Sequence, residues 1–182
     1  RAIWAAGRVS LNGWCSIGNP FTAEIMAAGG FDSVTVDMQH GALDYTDLLP
    51  MLQAMRASGA TLLARVQWLD PAHVMKALDA GVTGVICPMV GTAEEAARLV
   101  SYMRYPPEGM RSFGPTRAVF AHGAGYAASA NGGVMAFAMI ETAEGLANLE
   151  AIVATPGLEG IYVGPNDLAL SVSAGRLPPG LD

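Results

Sequence analysis

Residues 11–20 read Leu11-Asn12-Gly13-Trp14-Cys15-Ser16-Ile17-Gly18-Asn19-Pro20, a short apolar run followed by a helix-opening Asn-Pro pair. The junction between the two decides the fold. A dinucleotide-binding α/β domain places a G-x-G-x-x-G turn here, because its backbone must approach a pyrophosphate at the next helix N-terminus. Ser16-Ile17-Gly18-Asn19-Pro20 offers a single glycine, which favours a closed barrel over a doubly wound sheet.

Outward from this junction the strand-then-helix pattern repeats. Candidate strands cover residues 11–17, 31–38, 61–66, 84–89, 134–141 and 160–164. They are short and apolar almost throughout, as strands covered on both faces should be. Asn19-Pro20 opens a helix that Gly29-Gly30 closes, and Asp70-Pro71 opens another that ends at Gly81. Thr92-Ala93-Glu94-Glu95 forms a capping box before 96–103, and Tyr105-Pro106-Pro107 stops that helix. The helix around 48–57 contains Pro50 and must start close before it or kink. Repeated βα units imply a parallel α/β sheet, and polar side chains recur at the strand ends, where a TIM (β/α)₈ barrel places its site. A full barrel takes about 250 residues. With 182 residues the chain is expected to carry about the first six βα units, as a single barrel domain over 1–182 with the C-terminal units missing. Residues 104–133 are the one long irregular stretch, and loops of that length are usually functional.

About half the residues are apolar (52%) and few are charged (14%), enough for a substantial core with close helix–sheet contacts. The net charge of −6 is scattered, and no basic run supplies the footprint that nucleic-acid binding needs. Neither a membrane-length apolar stretch nor a basic-then-apolar secretion signal is expected. Cys15 and Cys87 are too few for a disulfide framework and lack zinc-ligand spacing, which predicts a reduced, cytoplasmic setting. Positive mean hydropathy hints at apolar surface covered by other subunits.

Two acids stand at the ends of consecutive strands: Glu141 after Val-Met-Ala-Phe-Ala-Met-Ile, and Asp167 after Ile-Tyr-Val-Gly-Pro-Asn. Adjacent parallel strands lie about 4.8 Å apart, so the two carboxylates can converge on one cation, and such a pair suits Mg²⁺ or Mn²⁺. Each acid alone is equally well read as a helix-start residue. His40, in Val36-Asp37-Met38-Gln39-His40-Gly41, would stand at the mouth, either shuttling protons or as a hydrogen-bonded structural histidine. Arg65, in Leu62-Leu63-Ala64-Arg65-Val66, needs an anionic partner, either a buried structural carboxylate or a substrate; its strand-end position favours the substrate. Lys76 is the only lysine and sits mid-helix, so carbonyl chemistry here calls for a metal as electron sink rather than a Schiff base. His73 and His122 read as solvated, and Cys87 as a small core residue.

Together these residues resemble the HpcH/HpaI aldolase family over about Gly13 to Val172. The likeness rests on Phe31-Asp32 through Val36-Asp37-Met38-Gln39-His40-Gly41, on Ala64-Arg65-Val66, and on Ala77-Leu78-Asp79-Ala80-Gly81. It continues in Pro88-Met89-Val90, Arg104-Tyr105-Pro106-Pro107-Glu108-Gly109-Met110-Arg111, Ile140-Glu141-Thr142 and Gly164-Pro165-Asn166-Asp167-Leu168. The resemblance implies a (β/α)₈ barrel, a homo-oligomer (usually a hexamer), and a divalent metal, Mg²⁺ or Mn²⁺ with Co²⁺ or Zn²⁺ as alternatives. It implies reversible cleavage of 4-hydroxy-2-oxoacids to pyruvate, or a related 2-oxoacid, plus an aldehyde, through a metal-stabilised enolate. Carried over, Glu141 and Asp167 are the metal ligands, and the backbone around Asn166-Asp167 meets the substrate carboxylate. Arg65 steadies the enolate oxygen, His40 takes part in proton transfer, and Asp79 matches a position that orients that histidine. The chain departs from the family at Gln39 (usually Glu), Met139 (often Gln) and Ser112 (usually Gly), which puts aldehyde preference in doubt rather than the metal site. Two rival readings stand beside this one. A citryl- or citramalyl-CoA lyase would call for a nucleotide-binding basic patch, which the sequence does not display. The other is a catalytically silent 2-oxoacid binder or assembly subunit.

Overall fold

In a computed structural model that describes residues 1–176, six parallel strands follow one another in sheet order β1 to β6. They are β1 (Asn12–Cys15), β2 (Ser33–Asp37), β3 (Thr61–Arg65), β4 (Gly84–Cys87), β5 (Met135–Ile140) and β6 (Leu158–Val163). A doubly wound sheet reverses its strand order at a switch point. This one never reverses, and it curls until Trp14 of β1 meets Tyr162 of β6 with ring centroids 5.4 Å apart. The architecture is a partial (β/α) barrel, as the first strand–helix junction indicates.

The helices are α1 (Ala2–Ala5), α2 (Pro20–Ala28), α3 (Tyr45–Ala54), α4 (Pro71–Ala80), α5 (Ala93–Met103), α6 (Ala118–His122), α7 (Tyr126–Gly133), α8 (Ala143–Ala147), α9 (Leu149–Val153) and α10 (Pro165–Val172). Their ends follow the sequence signals. Asn19 and Asp70 accept backbone N–H groups at the starts of α2 and α4, and Gly81 closes α4 with a φ of 104° that side-chain-bearing residues avoid. The capping box before α5 is half formed. Thr92 accepts the Glu95 N–H, but the Glu95 carboxylate reaches one residue further back, to the Gly91 N–H. Pro50 neither starts nor stops α3, which begins well before it on a capping box made by Asp44 and Asp47. The stretch 104–133 is not irregular throughout. It folds α6 and α7 around Tyr105, Ala118, Tyr126 and Ala130, a small core of its own.

Alternate strand residues point to opposite faces. Val34, Val36, Ala64, Val85, Cys87, Ala136, Ala138 and Ile140 pack outward against Leu48 and Leu52 of α3, Val74 and Leu78 of α4, and Leu99 and Met103 of α5. Each such large side chain contributes about 1.5–3 kcal/mol by leaving water. The other parity faces the barrel interior. There Asn12 accepts hydroxyl bonds from Ser33 and Thr35 near the base, while Asp37, Arg65 and Met139 stand at the mouth.

Candidate active site

β2 and β3 end in register on Asp37 and Arg65. Arg65 Nε donates to Asp37 Oδ1 at 2.8 Å and Nη2 donates to Oδ2 at 2.5 Å. The Trp14 ring lies 5.1 Å from the guanidinium, and its indole N–H donates to Asp37 Oδ2 at 3.2 Å. Asp37 Oδ1 also accepts the backbone N–H groups of Gln39 and His40, which fixes the turn carrying His40 to the mouth. Burial pushes the Asp37 carboxyl up, but bonds from Arg65, the His40 N–H and Trp14, with the Arg65 charge, hold it below the usual carboxylate range. Of the two partners the sequence allows for Arg65, the structure supplies the buried carboxylate. The Nη1 edge is the less committed one: it donates only a long bond, 3.9 Å, to the sulfur of Met139, a residue that lines the cleft.

Glu141 follows β5 and is 1% exposed. Its Oε1 accepts the Met89 N–H at 2.6 Å. Met89 holds a left-handed φ of 57°, a strained conformation for a side-chain-bearing residue, and that twist aims its N–H at the carboxylate. Gly164, beyond β6, permits the other side of the contact. A Cβ there would fall 2.6 Å from Glu141 Oε2, so any larger residue would displace the acid. Burial pushes the Glu141 carboxyl above its usual range and the charge of Asp167 pushes the same way; the Met89 N–H, Arg65 and His40 only partly offset them.

Asp167 lies in the first turn of α10, next to Asn166, where free backbone N–H groups and the helix dipole favour anions. Among the described residues Glu141 and Asp167 bond to no cationic side chain, and their mutual repulsion is what a divalent cation relieves. Two oxygen donors with further positions open to water and substrate fit Mg²⁺ or Mn²⁺. Among the described residues no group of three or more His, Cys, Asp or Glu converges to close a site on protein ligands alone.

Between β1 and α10 opens a cleft of about 360 Å³, lined by Trp14, His40, Arg65, Met139, Tyr162 and the Gly164–Asp167 turn. The structure thus brings His40, Arg65, Asn166 and Asp167 around one cavity, with Glu141 against its wall. Asp79 is not among them. It sits near the end of α4 and gives its carboxylate to Arg111 at 2.8 Å, because the long segment folds back over that helix. Lys76 lies over the Tyr45 ring, 4.8 Å from its centroid, away from the mouth. His122 is exposed, in keeping with its reading as solvated, and its ring also bonds the Gly81 carbonyl at 2.9 Å and stacks on Tyr126. Asp37, Trp14 and Tyr162 join the site without being among the candidates the sequence offers. Asp37 carried a usable signal: an acid ends one apolar strand where a base ends the next.

Fold and cleft together define an open (β/α) barrel with a carboxylate-flanked site at the C-terminal ends of its strands, the face where such barrels do their chemistry. The chain belongs to the HpcH/HpaI aldolase/citrate lyase family, whose model matches residues 12–182. It is 44% identical over 172 residues to a hydroxypyruvate/pyruvate aldolase of Rhizorhabdus wittichii, covering 94% of this chain and 68% of that one. It is 36% identical to a 5-keto-4-deoxy-D-glucarate aldolase of Klebsiella pneumoniae, with the same coverage. A solved HpcH/HpaI aldolase/citrate lyase family structure from Burkholderia cenocepacia superposes with a TM-score of 0.83 at 34% identity, over 90% of this chain and 67% of that one. The chain therefore spans about two thirds of the length of these relatives.

Proposed function

We propose that this chain is a class II aldolase, a carbon–carbon lyase that reversibly cleaves 4-hydroxy-2-oxoacids to pyruvate, or a related 2-oxoacid, and an aldehyde. The observation that carries the reading is the mouth cleft. Two carboxylates in mutual repulsion flank it, beside a guanidinium whose Nη1 is held only by a long bond to the Met139 sulfur, and an exposed imidazole. Glu141 and Asp167 would hold a divalent ion, Mg²⁺ or Mn²⁺, which when bound supplies Lewis-acid polarisation of the substrate's 2-oxo group. The backbone N–H groups at Asn166 and Asp167 receive the substrate carboxylate at the α10 N-terminus. His40 takes the proton of the 4-hydroxyl group as the C3–C4 bond breaks and the aldehyde leaves. The electron pair of that bond becomes the enolate, whose oxygen accepts from Arg65 Nη1; Asp37 holds the guanidinium in place for it. Protonation at C3 then gives the 2-oxoacid. Trp14, Tyr162 and Met139 line the cleft with apolar surface. Asp79, committed to Arg111, has no part in this scheme within one chain.

The same reading takes residues 1–182 as one barrel domain, working in the cytoplasm within a homo-oligomer, a hexamer by family resemblance. Among the described residues no helix is long and apolar enough to cross a membrane. The test is release of pyruvate from a 4-hydroxy-2-oxoacid, measured with and without a chelator, for the parent chain and Glu141→Gln. The expected result is chelator-sensitive release that falls at least about 100-fold in the variant, the scale set by losing one transition-state contact. Unchanged turnover in Glu141→Gln would remove the acid from the site.

A further inference from the structure

At the opposite end of the strands from the mouth lies a second cleft of about 300 Å³, below Thr61 at the start of β3 and Thr83 just before β4. Arg56, Arg117 and His122 line it. A neighbouring hollow of about 290 Å³ shares Arg56 and Arg117 and adds Gln53. Among the described residues no acid lines either one, and neither arginine pairs with a carboxylate. This is a concentration of positive charge in a chain whose net charge is −6. Each of these side chains is anchored by a single bond to a main-chain carbonyl: Arg56 Nη2 to Phe120, Arg117 Nη1 to Ala80, and His122 to Gly81. Those anchors cap the ends of α4 and α6, but they use one N–H of the five that each guanidinium carries. Burial, with the like charge of Arg56, holds Arg117 below its ordinary range, so the pair is under electrostatic strain that an anion would relieve.

We infer that the Arg56–Arg117–His122 cleft is a binding site for a small multivalent oxyanion, phosphate or a phosphate ester, separate from the catalytic mouth. Two planar forks pre-positioned around a cavity of this size match the geometry by which arginine recognises phosphate. Its position at the base of the barrel keeps it out of reach of chemistry at the strand C-termini, so it is not a nucleotide subsite for a substrate reacting there. The inference does not rest on the aldolase reading.

The test titrates inorganic phosphate into the intact protein at constant ionic strength, with chloride as the control anion, and follows the melting temperature. The ring resonances of His40, His73 and His122 are followed in the same titration. The expected result is a saturable rise in melting temperature that chloride does not reproduce, with His122 alone shifting. Apparent affinity should fall at least about 10-fold in the double variant Arg56→Gln/Arg117→Gln and stay unchanged in Glu141→Gln, which alters only the mouth. Should the double variant fail to fold, the histidine shifts in the parent protein decide. Glucose 6-phosphate in place of phosphate separates an ester site from a site for the free ion, and binding of either supports the proposal. Movement of His40 instead of His122, equal response to chloride, or phosphate affinity unchanged in a folded double variant would overturn it.

Discussion

Arg65 and Arg111 are built alike and used differently. Each is buried, pairs with an aspartate, and lies on aromatic rings: Arg65 with Asp37 and Trp14, Arg111 with Asp79, Tyr105 and Tyr126. Arg111 is wholly enclosed, its Nη groups taken by Asp79 and the Tyr126 hydroxyl, and it ties the 104–133 segment to α4. Arg65 keeps 10% of its side chain exposed and lines the mouth cleft, where its Nη1 makes only a long bond to the Met139 sulfur. The difference teaches that an Arg–Asp pair in a dry setting is a structural unit until one donor is left facing a cavity. Position relative to the strand ends, rather than the pairing itself, turns it toward chemistry.

Replacing each arginine should pull the two apart. Arg111→Met leaves Asp79 as a half-buried charge without its partner and strips the stacking from both tyrosines. It should cost about 3–5 kcal/mol of stability, read as a lower urea midpoint, while whatever folds keeps its turnover. Arg65→Lys keeps the charge but cannot hold the Asp37 fork and reach the cleft together. It should lower kcat/KM for retro-aldol cleavage by roughly 100- to 1000-fold with a smaller loss of stability. The comparison breaks if Arg65→Lys proves mainly a folding defect, or if Arg111→Met folds normally and loses activity.

Acid titration separates the two pairs at finer resolution. Asp37 has a folded-state pKa below its ordinary value, so the unfolded chain binds the proton first as pH falls. Its stabilisation is present above the ordinary value and lost as pH drops through the folded one. Asp79 runs the other way. Burial raises its carboxyl and Arg111 only partly offsets this, so its contribution declines as pH rises from the ordinary value through the folded one. Urea midpoints followed from roughly pH 3 to 6 should therefore show a shallower acid limb in Asp37→Asn and a steeper one in Asp79→Asn. The smallest effect belongs to the exposed Arg98–Glu95 pair, 55% and 31% exposed. There Arg98→Ala should change stability by less than about 1 kcal/mol, a baseline for what an arginine contributes when water screens it.

Much of this architecture is legible in the chain itself. Asn19-Pro20, Asp70-Pro71 and Thr92 mark helix starts because their side chains or ring satisfy local backbone needs, whatever packs around them. Apolar strand runs without polar alternation announce a sheet covered on both faces, and Glu141 and Asp167 stand at two consecutive strand ends. The 104–133 segment is less legible because α6 and α7 are short and are held by Tyr105, Arg111 and Tyr126 packing across the segment rather than by any period of their own. Asp79 meets Arg111 rather than His40 within this chain for a related reason. Its partner comes from that same segment, and no local spacing encodes the meeting.

What the sequence determined alone is whatever depends on neighbours a few residues away: caps, stops, strand parity, and so which side chains face the barrel interior. Tertiary structure decided how charges pair, giving Arg65 to Asp37 and Arg111 to Asp79, and setting Glu141 against Asp167 and Arg56 against Arg117 with no ion pair of their own among the described residues. The reason is that Coulomb energy depends on distance and on the water excluded between groups, and both are fixed only when strands and helices far apart in the chain close on one another.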